Sequence, residues 1–176
     1  GVKLVTVHGR TRCQFYTGKA DWAAIRRVRE AIRIPLIANG DGVTPAHARD
    51  MLAQSGADGV MIGRGAYGRP WWPGVVAEAL ETGSGFKEPD LAAERALVLR
   101  HQQETIELYG ERLGNKTFRK HAGWSVARLA ERNLISDVAL REFRATYLCQ
   151  SDNAAVRQGL LRIYDDAVAA QEKAAA

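Results

Sequence analysis

Three short stretches combine glycine with charged or hydrogen-bonding side chains in a manner suited to an anionic ligand: HGRTR at 8–12, NGDG at 39–42 and GRGAYGRP at 63–70. Glycine lets backbone N–H groups come close to an anion, and an arginine such as Arg64 offers a planar fork matched to phosphate. His8 adds an imidazole that can donate a hydrogen bond or orient a substrate. Taken singly, each has a plainer reading. Asn-Gly-Asp-Gly is an ordinary turn signal, Gly63-Arg64-Gly65 is a common combination, and a lone histidine usually serves packing. Their weight comes from position, because each stretch follows a short apolar run.

Those runs are Leu4–Val7, Pro35–Asn39 and Gly59–Gly63. They are rich in Val and Ile and lack polar alternation, so they read as parallel strands buried on both faces. Between the first two, Trp22, Ile25, Val28 and Ile32 fall on one helical stripe with the arginines turned away. Between the second and third, Thr44 can cap a helix, Pro45 suits its first turn and Gly56 can end it. The resulting β-α-β-α-β order demands a parallel sheet. Ligands of such sheets and barrels gather at the carboxyl ends of the strands, where all three polar stretches lie. Three strands alone leave faces and edges uncovered, so further strands are expected upstream.

Beyond Gly68 the pattern changes. RPWWPG reads as a turn, and residues 81–90 form a polar, glycine-bearing linker. From Leu91 onward four helical patterns follow, over 91–110, about 115–130, 136–149 and 153–170, which suggests a bundle. Gly110 and Gly114 punctuate the first connection, and Ser136 and Asn153 stand where N-caps belong. The expected division is therefore a barrel portion at 1–80, a linker at 81–90, a helical domain at 91–172 and a frayed tail at 173–176.

The chain has 176 residues, 46% of them hydrophobic and 26% charged, as a folded soluble protein would. No apolar run approaches the roughly 20 residues that span a bilayer. Cys13 and Cys149 are too few for a disulfide framework and lack zinc-site spacing, so a reducing cytoplasm and no metal are expected. The net charge of +5 is concentrated: Arg112 to Arg144 holds eight Lys or Arg against three acids, and the remainder is neutral. Such an excess attracts a polyanion, although a solvated basic helix face is its plainer reading.

The runs TVHGRTR, IPLIANGDG, GADGVMIGRGAYGRPW and FRKHAGW resemble those of bacterial tRNA-dihydrouridine synthases, in the subgroup also labelled nitrogen-regulation proteins. The resemblance covers nearly the whole chain, with the four motifs in the family's order. It implies the last three β/α units of a (β/α)8 TIM-type barrel that binds FMN, followed by a helical tRNA-binding domain. It further implies reduction of the C5=C6 bond of particular uridines, with NADPH as reductant. Asn39, Gly40 and Asp41 match the flavin-binding loop, Gly63 and Arg64 the phosphate-binding pair, and His8 the histidine near the flavin ring. Arg119, Lys120 and His121 match the residues that meet the tRNA backbone, with Arg112, Lys116 and Arg128 supporting them.

The family's proton-donor cysteine stands in an Asn-x-x-Cys-Pro type loop that neither Cys13 nor Cys149 occupies. No catalytic residue is therefore assigned within these residues, and the cysteine is expected upstream. Two other readings remain open at this stage. A sugar-phosphate isomerase or lyase barrel would show a similar phosphate cradle without flavin, and a non-catalytic RNA-binding piece would keep the barrel portion only as scaffold.

Overall fold

The computed structural model describes residues 1–83 and 87–175. In chain order it contains β1 (Val5–His8), α1 (Trp22–Ala31), β2 (Leu36–Asn39), α2 (Pro45–Ser55), β3 (Gly59–Met61), α3 (Trp72–Thr82), α4 (Leu91–Glu131), α5 (Asp137–Tyr147) and α6 (Asn153–Ala175), with a 3-10 turn at Arg64–Ala66. They form two compact units, one of Gly1–Ala66 with Trp71–Lys87 and one of Tyr67–Pro70 with Glu88–Ala176.

In the first unit the three strands pair in chain order and in parallel, His8 standing opposite Asn39 and Asn39 opposite Met61. Successive strand residues point to opposite faces. Val5, Val7, Leu36, Ala38 and Val60 therefore share one face, where they pack with Ile25 of α1 and Met51 of α2. The other face carries Thr6, His8, Ile37, Asn39 and Met61 and ranges from half-buried to exposed. Burial on both faces, expected from the apolar runs, is thus found on one face only. The reason is that α1 and α2 cover the same side.

Thr44 and Gly56 act as expected, and Asp21 caps α1 as well. Asp21 accepts from the Ala24 N–H, Thr44 accepts from the His47 N–H, and Gly56 closes α2 in the left-handed conformation. Helix α3 was not expected, since RPWWPG reads as a turn. A proline in the first helical turn removes only an N–H that has no helical partner anyway, and Trp72, Val75, Val76 and Ala79 form a buried stripe along it. Trp72 also donates its indole N–H to the Val43 carbonyl at 2.7 Å. The expected linker at 81–90 begins inside this helix, and its residues 84–86 lie outside the described residues.

In the second unit α4 is two arms meeting at Gly110, whose φ of 75° and ψ of 165° are non-helical. The arms fold back on each other. His101 of the first meets Phe118 and His121 of the second, and Arg132, just past the second arm, grips Glu94 of the first through bonds of 2.7 and 2.9 Å. Gly114, expected to punctuate the loop, is helical instead; a Cβ there would lie 2.7 Å from the Ile106 Cα. Its bareness lets the arms touch. Glu94 is only 2% exposed, and burial raises its pKa even though Arg132 opposes that rise. Ser136 caps α5 through the Ala139 N–H. Helix α6 runs to Ala175, through most of the expected tail, in keeping with the high helix propensity of Ala, Glu and Lys. Among the described residues no helix is long and apolar enough to cross a membrane.

Gly110 occupies a backbone region that side chains strain to adopt. Gly110→Ala is expected to lower stability by about 1–3 kcal/mol, read as an earlier urea midpoint by far-UV circular dichroism. An unchanged midpoint would show that the break does not need glycine.

Candidate functional site

In the first unit the three polar stretches meet at the carboxyl ends of the strands, and Asp41 is where they join. Gly40, at φ 122°, and Asp41, at φ 55°, turn the chain sharply after β2. A Cβ on Gly40 would lie 2.8 Å from the Ala20 Cβ, so conformation and space both require glycine. Asp41 Oδ2 accepts from Arg10 Nη2 at 2.6 Å and from the Ala20 N–H at 2.8 Å, while Oδ1 accepts from Arg64 Nη2 at 3.4 Å. Burial works against its charge, but the Ala20 N–H, Arg10 and Arg64 outweigh it and hold the carboxyl below its ordinary value.

Around this carboxylate the loops are fixed. Asn39 Nδ2 donates to the Met61 carbonyl, tying the second strand end to the third. Trp22 donates its indole N–H to the Gly40 carbonyl. Arg10, whose side chain is 3% exposed, also donates to the Thr17 and Gly18 carbonyls. Its Nη1 is buried without an acceptor among the described residues. Arg64 is half exposed, and its guanidinium carbon sits 4.6 Å from the centre of the Tyr16 ring. A Cβ on Gly63 would meet nothing within 4 Å, so the described residues leave that space open. His8, exposed on the uncovered sheet face, borders a cleft of about 370 Å³ together with Arg10, Gln14 and Asp21.

The six expected flavin residues thus sit on adjacent strand ends, with Asp41 and Arg64 in direct contact. Arg10 was missed. It lies in the quoted HGRTR stretch, yet nothing in the sequence distinguishes which of its two arginines turns inward. Tyr16 was missed as well, and no spacing signal marks it.

In the second unit the six expected RNA-contacting residues divide. Arg112, Lys116 and Lys120 are exposed and make no ion pair among the described residues. The others are engaged. Arg119 donates to the Leu148 and Gln150 carbonyls beyond α5 at 2.8 and 3.1 Å. Arg128 bonds the Tyr67 carbonyl and Glu131. His121 is half-buried, packed edgewise on Trp124 and 4.7 Å from His101 between ring centres, while Tyr67 stacks on the same tryptophan at 3.8 Å. Burial lowers the pKa of both histidines, helped at His121 by His101 and Lys120.

Residues 1–156 match the family model of dihydrouridine synthases (Dus). The chain belongs to the dihydrouridine synthase family. A probable tRNA-dihydrouridine synthase of Rickettsia bellii is 42% identical over 168 residues, which cover 96% of this chain and 49% of that protein. One from Rhizobium leguminosarum is 50% identical over 130 residues, 74% of this chain and 39% of the relative. tRNA-dihydrouridine synthase B of Xanthomonas axonopodis is 46% identical over 124 residues, 70% of this chain and 37% of the relative. The chain spans about half the length of the Rickettsia relative, and less of the others. Membership of the dihydrouridine synthases displaces the sugar-phosphate isomerase or lyase reading.

The buried histidine pair makes the helical unit acid-sensitive. Their folded pKa values lie below the ordinary 6.5, so their contribution is complete above that pH and is lost as pH falls from it toward the folded values. The urea midpoint should drop between pH 7 and pH 5, and His121→Phe should flatten the drop. A midpoint independent of pH would rule out the pair as its source.

Proposed function

We propose that this chain is the carboxyl-terminal part of an FMN-dependent tRNA-dihydrouridine synthase, comprising the last three β/α units of its barrel and its helical tRNA-binding domain. The observation that carries the reading is the meeting of Asp41 with Arg64 at 3.4 Å, joining two strand ends into one cradle in a dihydrouridine synthase. The donor set fits FMN. Arg64 is a half-exposed fork, Gly63 leaves room for close approach to its backbone, and Arg10 Nη1 is a buried donor in want of an acceptor. In this reading Gly63 and Arg64 hold the FMN phosphate, Asn39, Gly40 and Asp41 the ribityl region, and His8 lies beside the ring.

When bound, the flavin supplies hydride for reduction of a uridine C5=C6 bond, with NADPH as its reductant. This chain's own residues bind and orient. Asp41 keeps the arginines of two loops in register, and His8 offers an imidazole on the open sheet face. Cys13 and Cys149 are free and exposed, and neither stands in the Asn-x-x-Cys-Pro type context expected of the proton donor. That cysteine belongs to the upstream half, so these residues alone are expected to be inactive. The exposed Arg112, Lys116 and Lys120 supply the charge that a tRNA backbone neutralises, and a cytoplasmic setting and the lack of a metal requirement go with the reading.

Arg64→Ala in the full-length protein should weaken FMN retention by about ten- to a hundredfold, the worth of one charge-assisted hydrogen bond, measured by flavin absorbance after dialysis. Full retention would remove Arg64 from the phosphate site. Lys116→Gln with Lys120→Gln should lower the slope of log affinity for tRNA against log salt by roughly one per lost phosphate contact, measured by filter binding. An unaltered slope would take both lysines out of the interface.

A further inference from the structure

Along the second arm of α4, Lys116, Lys120, Trp124 and Arg128 recur at every fourth residue, each about 6 Å beyond the last. Four residues fall just past one full turn, so these side chains form a slowly winding row in which an aromatic ring stands among cations. Lys116 and Lys120 are exposed, and Trp124 and Arg128 are half-buried.

Tyr67 lies on this row. Its ring stacks on that of Trp124, with centres 3.8 Å apart and planes 4° from parallel. Its backbone is pinned to the same arm: Arg128 Nε donates to the Tyr67 carbonyl at 3.4 Å, and Ser125 Oγ donates to the Gly68 carbonyl at 3.3 Å. A Cβ on Gly68 would lie 2.5 Å from the Trp124 carbonyl oxygen, so glycine is what lets the segment lie this close. His121 meets the indole edge-on, 5.2 Å away between ring centres, and steadies it from another side.

A ring serving only to pack would be shielded. Tyr67 is 40% exposed even though Trp124 covers one of its faces, and among the described residues it has no second ring partner. An aromatic plane that is open on one side and already held in place loses little entropy when a second plane settles on it. Every nucleobase carries such a plane, and its phosphates suit the ammonium groups along the row. An acidic peptide would pair with the lysines but leave the ring unused, and a base-paired stem would bring phosphates without a free base. We propose that Tyr67, backed by Trp124, is a stacking platform for an unpaired base of the RNA, with Lys116 and Lys120 on the backbone beside it. The inference rests on the RNA-binding reading above.

The test uses one labelled stem-loop RNA and the same strand with abasic sites throughout its loop, which keep every phosphate and remove the bases. Binding to the full-length protein is read by fluorescence anisotropy. The unmodified protein should bind the intact loop at least about tenfold more tightly. Tyr67→Leu should weaken the intact loop about tenfold and the abasic loop little, with the slope of log affinity against log salt unchanged. Tyr67→Phe, which keeps the ring, should bind both as the unmodified protein does. Equal binding of the two probes by the unmodified protein would overturn the inference while leaving RNA binding intact, and needs no variant that might misfold. A gap that survives in Tyr67→Leu, or one that Tyr67→Phe loses as fully, would overturn the assignment to the ring of Tyr67. Failure to bind either probe would overturn the RNA-binding reading itself.

Discussion

A single carboxylate holds the strand-end architecture together. Asp41 receives Arg10 from the first loop, the Ala20 N–H from the entry to α1 and Arg64 from the third loop. Arg10 and Ala20 lie in the one connection between β1 and α1, while Asp41 and Arg64 follow β2 and β3, and apart from Asn39, Trp22 and the Gly9 N–H on the Asn39 carbonyl little else in the described hydrogen bonding spans the three. The carboxylate can do this only because the backbone before it is bent into a conformation glycine tolerates at position 40. The loops' arginines are thereby held in place beforehand, so the proposed anion would cost less entropy to bind there.

The helical unit shows a different economy of charge. Of its many cations, Arg132 neutralises a buried glutamate, Arg119 satisfies carbonyls beyond α5, and Arg128 bonds the carbonyl of Tyr67. These hold helices and connections in place. Arg112, Lys116 and Lys120 remain at the surface, on the same arm as Arg119. A basic segment of sequence is thus a mixture: the charges of Arg128 and Arg132 are offset by carboxylates, Arg119 keeps its charge while its donors are engaged by carbonyls, and the exposed three have both charge and donors free of an ion pair among the described residues.

Which features were legible in the sequence follows from the range of the interactions behind them. Thr44 and Ser136 were readable as lying where caps belong because capping is local; Asn153, read the same way, is instead the first residue of α6, with Asp152 before it accepting from the Ala154 N–H. The coming together of Asn39, Asp41 and Arg64 followed from the rule that parallel strands share a carboxyl end. Helix α3 escaped notice because the two prolines and two tryptophans around its start mask a stripe that only becomes apolar from Trp72 onward. The inward turn of Arg10, the carbonyl partners of Arg119 and the meeting of His121 with His101 depend on groups about 20 to 30 residues away. Periodicity carries no information at that distance. The open sheet face likewise could not be foreseen from apolar runs, which report hydrophobicity but not which side is covered.

The break at Gly110 sets the shape of the helical unit. An uninterrupted helix over the 41 residues of α4 would be a rod of about 60 Å, with Glu94 and Arg132 at its two ends and the histidine rings turns apart. Reversal at one residue brings the ends together and makes a two-ply wall on which α5 and α6 can rest. The position therefore has very little mutational latitude: a drift from glycine would alter a reach of tens of ångströms rather than a local bend, and lineages should preserve it more strictly than its solvent exposure would suggest.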